Sequence, residues 1–143
     1  MAKTTAKKKA WGWCSKYIRL RDSIEYCKEH GMHPDSGWAQ CCSCQTVKQW
    51  KQMDAGHYYS RGLGGSSGVY FDERNIHAQC KQCNGFKQGN AQAYREFMLN
   101  RYGQEVLDEL MVKDKISSYK GQIPFVGEMY KQMFEKLKEL KGE

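Results

Sequence analysis

The chain has 143 residues, 7 cysteines, 13% aromatic residues and a formal net charge of +7 at pH 7. This length fits one domain, and the aromatic content excludes an intrinsically disordered chain. No apolar run approaches the roughly 18 residues of a membrane-spanning helix, and residues 1–9 lack the apolar segment of a secretory signal. We therefore expect a cytoplasmic protein without a membrane partner, whose odd number of reduced thiols indicates metal binding rather than a disulfide framework.

The positive charge is unevenly distributed along the chain. Residues 1–40 hold 8 basic and 4 acidic side chains, residues 41–90 hold 6 and 3, and residues 91–143 hold 9 and 9. The whole excess therefore lies in the first 90 residues. A basic segment of this kind suits a polyanion, most simply nucleic acid. Charge alone equally allows a solubilising surface with a lysine-rich tail.

The N-terminal region divides into an arm and a helix. Residues 1–14 contain four lysines and are expected to form a disordered basic arm. Ser15 can cap a helix that runs to about Lys28 and ends at Gly31. Its apolar residues form a loose stripe: Ile18, Leu20, Ile24 and Cys27.

Short β elements are expected in the middle of the chain. Residues 39–60 predict a cysteine-containing turn followed by a strand. Residues 61–68 predict a flexible glycine-rich loop, which lacks the Lys-Ser/Thr sequence of a phosphate-binding loop. Residues 69–71 predict another short strand, and residues 75–79 lead into a second cysteine pair.

Three helices are expected after residue 89. Asn90 can cap the first, which ends at Tyr102, and the second covers about residues 104–115. Pro124 opens the third, whose apolar residues recur at spacings of 4, 3, 4 and 3: Val126, Tyr130, Met133, Leu137 and Leu140. This short heptad pattern fits packing within the chain, with a dimer seam as the alternative. The chain thus divides into an arm (1–14), a central domain (15–115) and a C-terminal helix (116–143) that is a possible dimerisation element.

Two cysteine pairs carry the strongest signal in the sequence. Cys41 and Cys44 form one C-x-x-C pair, and Cys80 and Cys83 form another. A tight turn between two thiols lets both sulfurs reach one ion at about 2.3 Å, so two such turns predict a closed structural zinc site. Cys42 is an alternative ligand in a less usual C-x-C geometry. A redox role for either pair is disfavoured, because neither lies in a clear β-α-β context.

Polar residues beside the two pairs suggest hydrolytic chemistry. Asp54 offers a hard oxygen ligand for Mg²⁺ or Mn²⁺, and Asn84 offers a neutral carbonyl oxygen directly after a zinc ligand. His57 can act as a general base near neutral pH. A base and a divalent ion are what phosphodiester hydrolysis needs, and Arg61 and Lys87 can hold the DNA backbone.

Three segments carry a family resemblance, which covers about residues 15–112. Residues 54–58 read Asp-Ala-Gly-His-Tyr, residues 73–80 read Glu-Arg-Asn-Ile-His-Ala-Gln-Cys, and residues 83–90 read Cys-Asn-Gly-Phe-Lys-Gln-Gly-Asn. With the upstream C-x-x-C pair, these segments resemble the phage lambda NinG (Rap) family of recombination endonucleases, within the HNH, or ββα-metal, superfamily.

The resemblance implies an α+β fold: a small ββα-metal core with a four-cysteine zinc knuckle, flanked by an N-terminal helix and C-terminal helices. It implies His57 as general base, Asn75 as the residue that orients it, and Asn84 as ligand of a catalytic Mg²⁺ or Mn²⁺. Asp54 is the nearest carboxylate that can complete this site. In the commoner HNH pattern an acid directly precedes the histidine, whereas Gly56 stands there.

On a regular strand, residues 54 and 57 point to opposite faces, so Asp54 joins the site only if the backbone bends at Gly56. Otherwise Asp54 orients a neighbour, or His57 itself contacts the metal. Further DNA contacts are expected from basic side chains close to the motif: Lys87, Arg61, His77 and Arg74. For His77 a structural role is the alternative.

The resemblance implies a homodimer that cuts branched DNA, such as Holliday junctions and D-loops, in the cytoplasm of a bacterial host. A nicking or restriction-like HNH enzyme would carry the same core. A non-catalytic zinc module that binds nucleic acid is a second alternative, and an interaction protein built on the C-terminal helix is a third.

Overall fold

The computed structural model describes residues 2–59, 68–87 and 89–141, without the side chains of residues 2–5 and 141. Four α-helices span Ala2–Glu29 (α1), Ala91–Arg101 (α2), Gln104–Ile116 (α3) and Ile123–Lys141 (α4). Four short strands span Trp38–Gln40 (β1), Val47–Gln49 (β2), Asp54–His57 (β3) and Ile76–Gln79 (β4). The predicted α+β class is confirmed.

The strands form two antiparallel pairs. β1 pairs with β2 around the first cysteine turn, and β3 pairs with β4 in an unbroken register from Asp54 opposite Gln79 to His57 opposite Ile76. A π-helical turn, Gln82–Phe86, follows β4 and contains Cys83, the second cysteine of the second pair. The β3–β4 pair therefore connects the two halves of the cysteine motif.

The expected disordered arm over residues 1–14 is wrong, because α1 begins at Ala2 and continues through Ser15 without a break. Ala10, Cys14 and Ile18 are fully buried at a spacing of four residues, which is the repeat of one helix face. They pack in a cluster with Val126 and Tyr130 of α4. Burial of this stripe stabilises the helix, while Lys8 and Lys9 stay exposed.

Helix α4 packs along α1, as the interpretation within one chain predicted. A Cβ at Gly127 would lie 3.2 Å from Ala10, so the two helices approach closely there. Val126, Tyr130 and Phe134 are buried, whereas Leu140 at the end of the heptad pattern is 58% exposed. The role of α4 in dimerisation stays a prediction.

The strand predicted over residues 69–71 is wrong, because these residues form a turn. Their side chains are buried, which accounts for the apolar signal. Their carbonyl groups bond to side chains instead of a neighbouring strand: Tyr130 Oη donates to Phe71 O, and Asn75 Nδ2 donates to Val69 O. Helices α2 and α3 lie where they were predicted, with Tyr94, Met98, Leu107 and Leu110 buried. Among the described helices, none is both long and apolar enough to cross a bilayer.

Candidate active site and metal centre

The two cysteine pairs converge in space. One sulfur from each of Cys41, Cys44, Cys80 and Cys83 lies within 4.8 Å of the others, and the Cys44 and Cys80 sulfurs are 3.6 Å apart. Four thiolates bound tetrahedrally at about 2.3 Å would be separated by about 3.8 Å. The four cysteines could therefore hold one metal ion such as zinc, with no coordination position left open.

Backbone amides support this thiol cluster. The amides of Ser43 and Cys44 donate to Cys41 Sγ at 3.4 and 3.5 Å, and the amide of Cys83 donates to Cys80 Sγ at 3.5 Å. Burial raises the pKa of Cys41 to about 12. Burial also raises the pKa of Cys44, but hydrogen bonds, first with Thr46, lower it to about 6. A bound cation would compensate the charge of thiolates gathered this closely.

The remaining cysteines lie outside the cluster. Cys42 is buried among α2 and α3 residues, and its sulfur lies 3.8 Å from Ser43 Oγ. This placement favours Cys41 over Cys42 as a ligand, and the assignment stays a prediction. Cys14 and Cys27 are fully buried and belong to the packing of α1.

His57 lies at the end of β3, next to α1. Its Nε2 is 2.8 Å from the carbonyl oxygen of Tyr70. A carbonyl only accepts hydrogen bonds, so Nε2 carries the proton and Nδ1 carries the lone pair that a general base uses. The indole of Trp11 stacks on the imidazole, with ring centroids 4.7 Å apart. The ring orientation of His57 is therefore fixed by a backbone carbonyl and by a helix.

Asn75 is fully buried and holds the chain on both sides of residues 60–67. Its Oδ1 accepts from the amide of Tyr59 at 2.8 Å, and its Nδ2 donates to the carbonyl of Val69 at 3.1 Å. Val69 immediately precedes Tyr70, whose carbonyl binds His57. Asn75 thus acts on the imidazole through the backbone that the imidazole contacts.

Asp54 and Asn84 meet directly. Asn84 Nδ2 donates to Asp54 Oδ2 at 3.0 Å, and Lys81 Nζ lies 2.8 Å from Asp54 Oδ1. Burial raises the pKa of Asp54, but the bonds from Lys81 and Asn84 bring it below its usual value, so the carboxylate is charged at neutral pH. The bend at Gly56 that Asp54 would need in order to join His57 is absent, because β3 pairs with β4 without a bulge. Asp54 instead orients Asn84, which reaches it from the π-helical turn.

A cleft of about 330 Å³ opens beside this pair. Asp54 and Asn84 share its wall with the basic side chains of Arg19, Lys51 and Lys81. Arg19 is held by the carbonyl groups of Trp50 and Met53, at 3.5 and 3.3 Å. The oxygen atoms of Asp54 and Asn84 are suitable ligands for a divalent ion, and the three basic side chains beside them could bind a phosphate group.

Helix α1 contributes residues that the sequence interpretation missed. Trp11, Ser15 and Arg19 line the cleft and recur every four residues, which places them on one helix face. Trp11 therefore contacts both the cleft and His57. The spacing was visible in the sequence, but the assumption of a disordered arm up to residue 14 hid it.

Gln79 is another residue that the sequence interpretation missed. It is fully buried, and its amide donates to Ser43 Oγ at 2.8 Å and to the carbonyl of Gly89 at 2.7 Å. Its Oε1 lies against Gly56, so the first cysteine turn and the β3–β4 pair are fixed to each other. Only the position of Gln79 on the same strand face as Asn75 hinted at this role.

Alanine at position 56 is expected to destabilise the protein by about 1–3 kcal/mol, a typical cost of overpacking. Its Cβ would overlap Gln79 Oε1 and lie 3.2 Å from Asn84 Oδ1. Gln79 cannot retreat without breaking its two hydrogen bonds. Chemical denaturation measures the change. Gly85→Ala is the matched control, because nothing lies within 4 Å of its Cβ position, and equal stability of the two variants would contradict the packing argument.

The predicted DNA contacts have different outcomes. His77 is 1% exposed, and its two nitrogens lie 3.3 and 2.8 Å from the hydroxyls of Tyr94 and Tyr102, so its burial contradicts the DNA contact and supports the structural alternative. Burial lowers the pKa of His77 well below its usual value. Arg74 forms ion pairs with Asp72 and Glu109. Lys87 is exposed, so its DNA contact stays a prediction, and Arg61 lies outside the described residues.

Comparison with known proteins identifies the family. Proteins named "Protein ninG" match the chain over 70 residues: the one from Escherichia phage 933W is 49% identical, the one from Escherichia phage lambda 46% and the one from Salmonella phage P22 44%. Each match covers 49% of this chain but 33% of the relative, so the matched segment spans a third of those proteins. No solved structure matches the chain. A family model described as "Bacteriophage Lambda NinG protein" matches residues 3–143, and the chain therefore belongs to this family.

Proposed function

We propose that the chain is a metal-dependent, structure-selective DNA endonuclease with an HNH-type active site, acting on branched recombination intermediates such as Holliday junctions and D-loops. One observation carries the proposal. The Asp54–Asn84 pair lies in a cleft walled by Arg19, Lys51 and Lys81, and Trp11 connects that cleft to His57. An antiparallel strand pair followed by a helical turn with Asn84 also fits the ββα-metal arrangement.

In this proposal the side chains have separate roles. His57 is the general base: its Nδ1, which is buried in this structure, accepts the proton, while its Nε2–H stays bonded to the carbonyl of Tyr70. Asn84, oriented by its hydrogen bond to Asp54, would hold a Mg²⁺ or Mn²⁺ ion, which when bound stabilises negative charge on the phosphate and the leaving oxygen. Arg19 and Lys81 orient the phosphodiester in the cleft. Asn75 keeps His57 in place through Val69 and Tyr70.

The four cysteines hold zinc in this proposal, and the zinc is structural. The four sulfurs would fill all positions of a tetrahedral ion, so no water or phosphate would bind there. Asn84 follows Cys83 directly, and its backbone N–H donates to the carbonyl of Cys80 at 2.9 Å. The knuckle therefore fixes the position of the catalytic asparagine.

The experiment that tests the function compares three labelled DNAs of the same length: a four-way junction, a flap and a linear duplex. Zinc-loaded protein is incubated with each in Mg²⁺ or Mn²⁺. The proposal expects cutting that requires the divalent ion and is fastest on the junction. Equal rates on all three DNAs would favour a general nicking enzyme. Salt-sensitive binding without any cutting would favour a non-catalytic zinc module.

Replacing Asn84 by alanine is expected to raise the Mn²⁺ concentration for half-maximal cutting by about 10- to 100-fold, the usual effect of disturbing a metal site. The carboxylate of Asn84→Asp should restore binding, because Mn²⁺ accepts either oxygen. Asn100→Ala, at an exposed position of α2, is the control. Zinc content is measured in parallel, because Asn84 is adjacent to Cys83. An unchanged Mn²⁺ requirement in Asn84→Ala would remove Asn84 from the site.

A further inference from the structure

Three aromatic rings form a continuous row across the contact between α1, α4 and the segment before β3. The rings of Trp13 and Phe134 are 6.0 Å apart, and those of Phe134 and Trp50 are 6.3 Å apart. Trp50 directly precedes Lys51, which lines the proposed active-site cleft. The row therefore leads from the cleft onto α4, none of whose described residues lines the cleft, and then to α1.

A cation covers each of these rings. Lys16 and Lys131 lie over Trp13 at 4.9 and 5.8 Å, Lys138 lies over Phe134 at 5.6 Å, and Lys51 lies over Trp50 at 5.6 Å. A lysine stem that rests on a ring loses conformational freedom, while its ammonium group stays at the surface. We name this surface the lysine band: Lys16, Lys51, Lys131 and Lys138 with the three rings beneath them.

Among the residues that the structure describes, five lysines and arginines are paired with carboxylates, whereas the band lysines, like the exposed Lys28 and Lys115, are not. Arg21, Arg74, Arg101, Lys81 and Lys113 each form an ion pair with a carboxylate. In the described part of the chain, none of the four band lysines has an acidic group within ion-pair distance. Four ordered ammonium groups without carboxylate partners present positive charge to a binding partner.

We propose that the lysine band binds the phosphate backbone of a duplex arm that leaves the active-site cleft. The inference rests on the proposed function, because the direction of the DNA is taken from the cleft. Lysine suits this role, since its ammonium group contacts phosphates without reading bases. Continuity with Lys51 favours the same nucleic acid over an acidic protein as the occupant. The band extends the DNA footprint onto α1 and α4.

The test compares two triple variants that lower the net charge equally. The band variant carries Lys16→Gln, Lys131→Gln and Lys138→Gln, and the control carries Lys28→Gln, Lys115→Gln and Lys120→Gln at exposed positions elsewhere. Both are made in a His57→Gln background, and binding to a 24-base-pair duplex is measured without added Mg²⁺ or Mn²⁺. We expect the band variant to bind at least 10-fold more weakly than the control at 100 mM salt. For the band variant, the slope of the logarithm of the binding constant against the logarithm of the salt concentration should be shallower by two to three, about 0.9 for each lost phosphate contact.

Two further measurements keep the outcomes distinct. Changing the same three lysines to arginine should preserve DNA binding, because the charge remains. Equal melting temperatures of the band and control variants exclude misfolding as the cause of weaker DNA binding. Equal DNA binding by the band and control variants would overturn the lysine band, even if the wild-type protein cuts DNA. Weaker binding by the band variant would support it, even if no cutting by the wild-type protein is found and the proposed nuclease function fails.

Discussion

Replacing His57 by glutamine or alanine is expected to slow divalent-ion-dependent DNA cutting by about 10²- to 10⁴-fold, the usual contribution of a general base. Glutamine can still donate to the carbonyl of Tyr70, but it offers no basic nitrogen at the position of Nδ1. Gel assays of labelled DNA under single-turnover conditions measure the rate. DNA binding without added divalent ion should change little, since the ring lies beneath Trp11.

The two His57 variants separate chemistry from packing. Alanine also removes the ring that stacks on Trp11, and some loss of stability is expected from that change alone. Glutamine retains most of the volume, so a slow but stably folded His57→Gln protein isolates the proton transfer. His30→Ala, at an exposed position near the end of α1, is the control. Cutting by His57→Gln at the wild-type rate would remove His57 from the mechanism.

Loss of zinc is expected to unfold the central part of the protein. Apparent binding free energies of about 10–16 kcal/mol have the size of the whole stability of a small domain, about 5–15 kcal/mol. Cys83→Ser should therefore contain no tightly bound zinc and should lose its cooperative thermal transition. Elemental analysis and circular dichroism measure the two effects. A chelator should do the same to the wild-type protein.

Cys42→Ser is the matched control for the zinc prediction. Cys42 is adjacent to Cys41 in the chain, but its sulfur belongs to the packing with α2 and α3. This variant should keep one zinc ion per chain and a cooperative transition at a somewhat lower temperature. If Cys42→Ser loses zinc while Cys41→Ser keeps it, the ligand assignment is wrong.

The local features of this fold were predictable from sequence because their signals are local. C-x-x-C spacing defines a turn, and the cluster of Cys41, Cys44, Cys80 and Cys83 follows from two such turns. Helices α2 and α3 have stops and apolar stripes within a single segment, although Asn90 donates to Cys83 Sγ instead of capping α2 with its side chain. Asn84 was singled out by its position directly after Cys83, whereas Asn75 was predicted only through the family resemblance, since an isolated asparagine has no recognisable spacing.

The errors arose where distant segments decide the structure. Residues 2–14 are helical because Ala10 and Cys14 pack on α4, about 115 residues further along the chain. The turn over residues 69–71 is buried like a strand, but Tyr130 and Asn75 supply its hydrogen bonds. The contribution of Arg19 and Trp11 to the cleft depends on the same packing of α1. The four-residue spacing within α1 was visible in the sequence, but the segment that it packs against was not.

The central claim is that His57 and Asn84, the latter oriented by Asp54, form a nuclease site supported by a metal knuckle. The most direct test is cutting of a labelled four-way junction by the zinc-loaded chain, with and without Mn²⁺, beside the same preparation of His57→Gln. We predict cutting by the wild-type protein only with Mn²⁺, and at least a 10²-fold lower rate for the variant. Bound but uncut junction DNA in Mn²⁺, with zinc present and the protein folded, would contradict it.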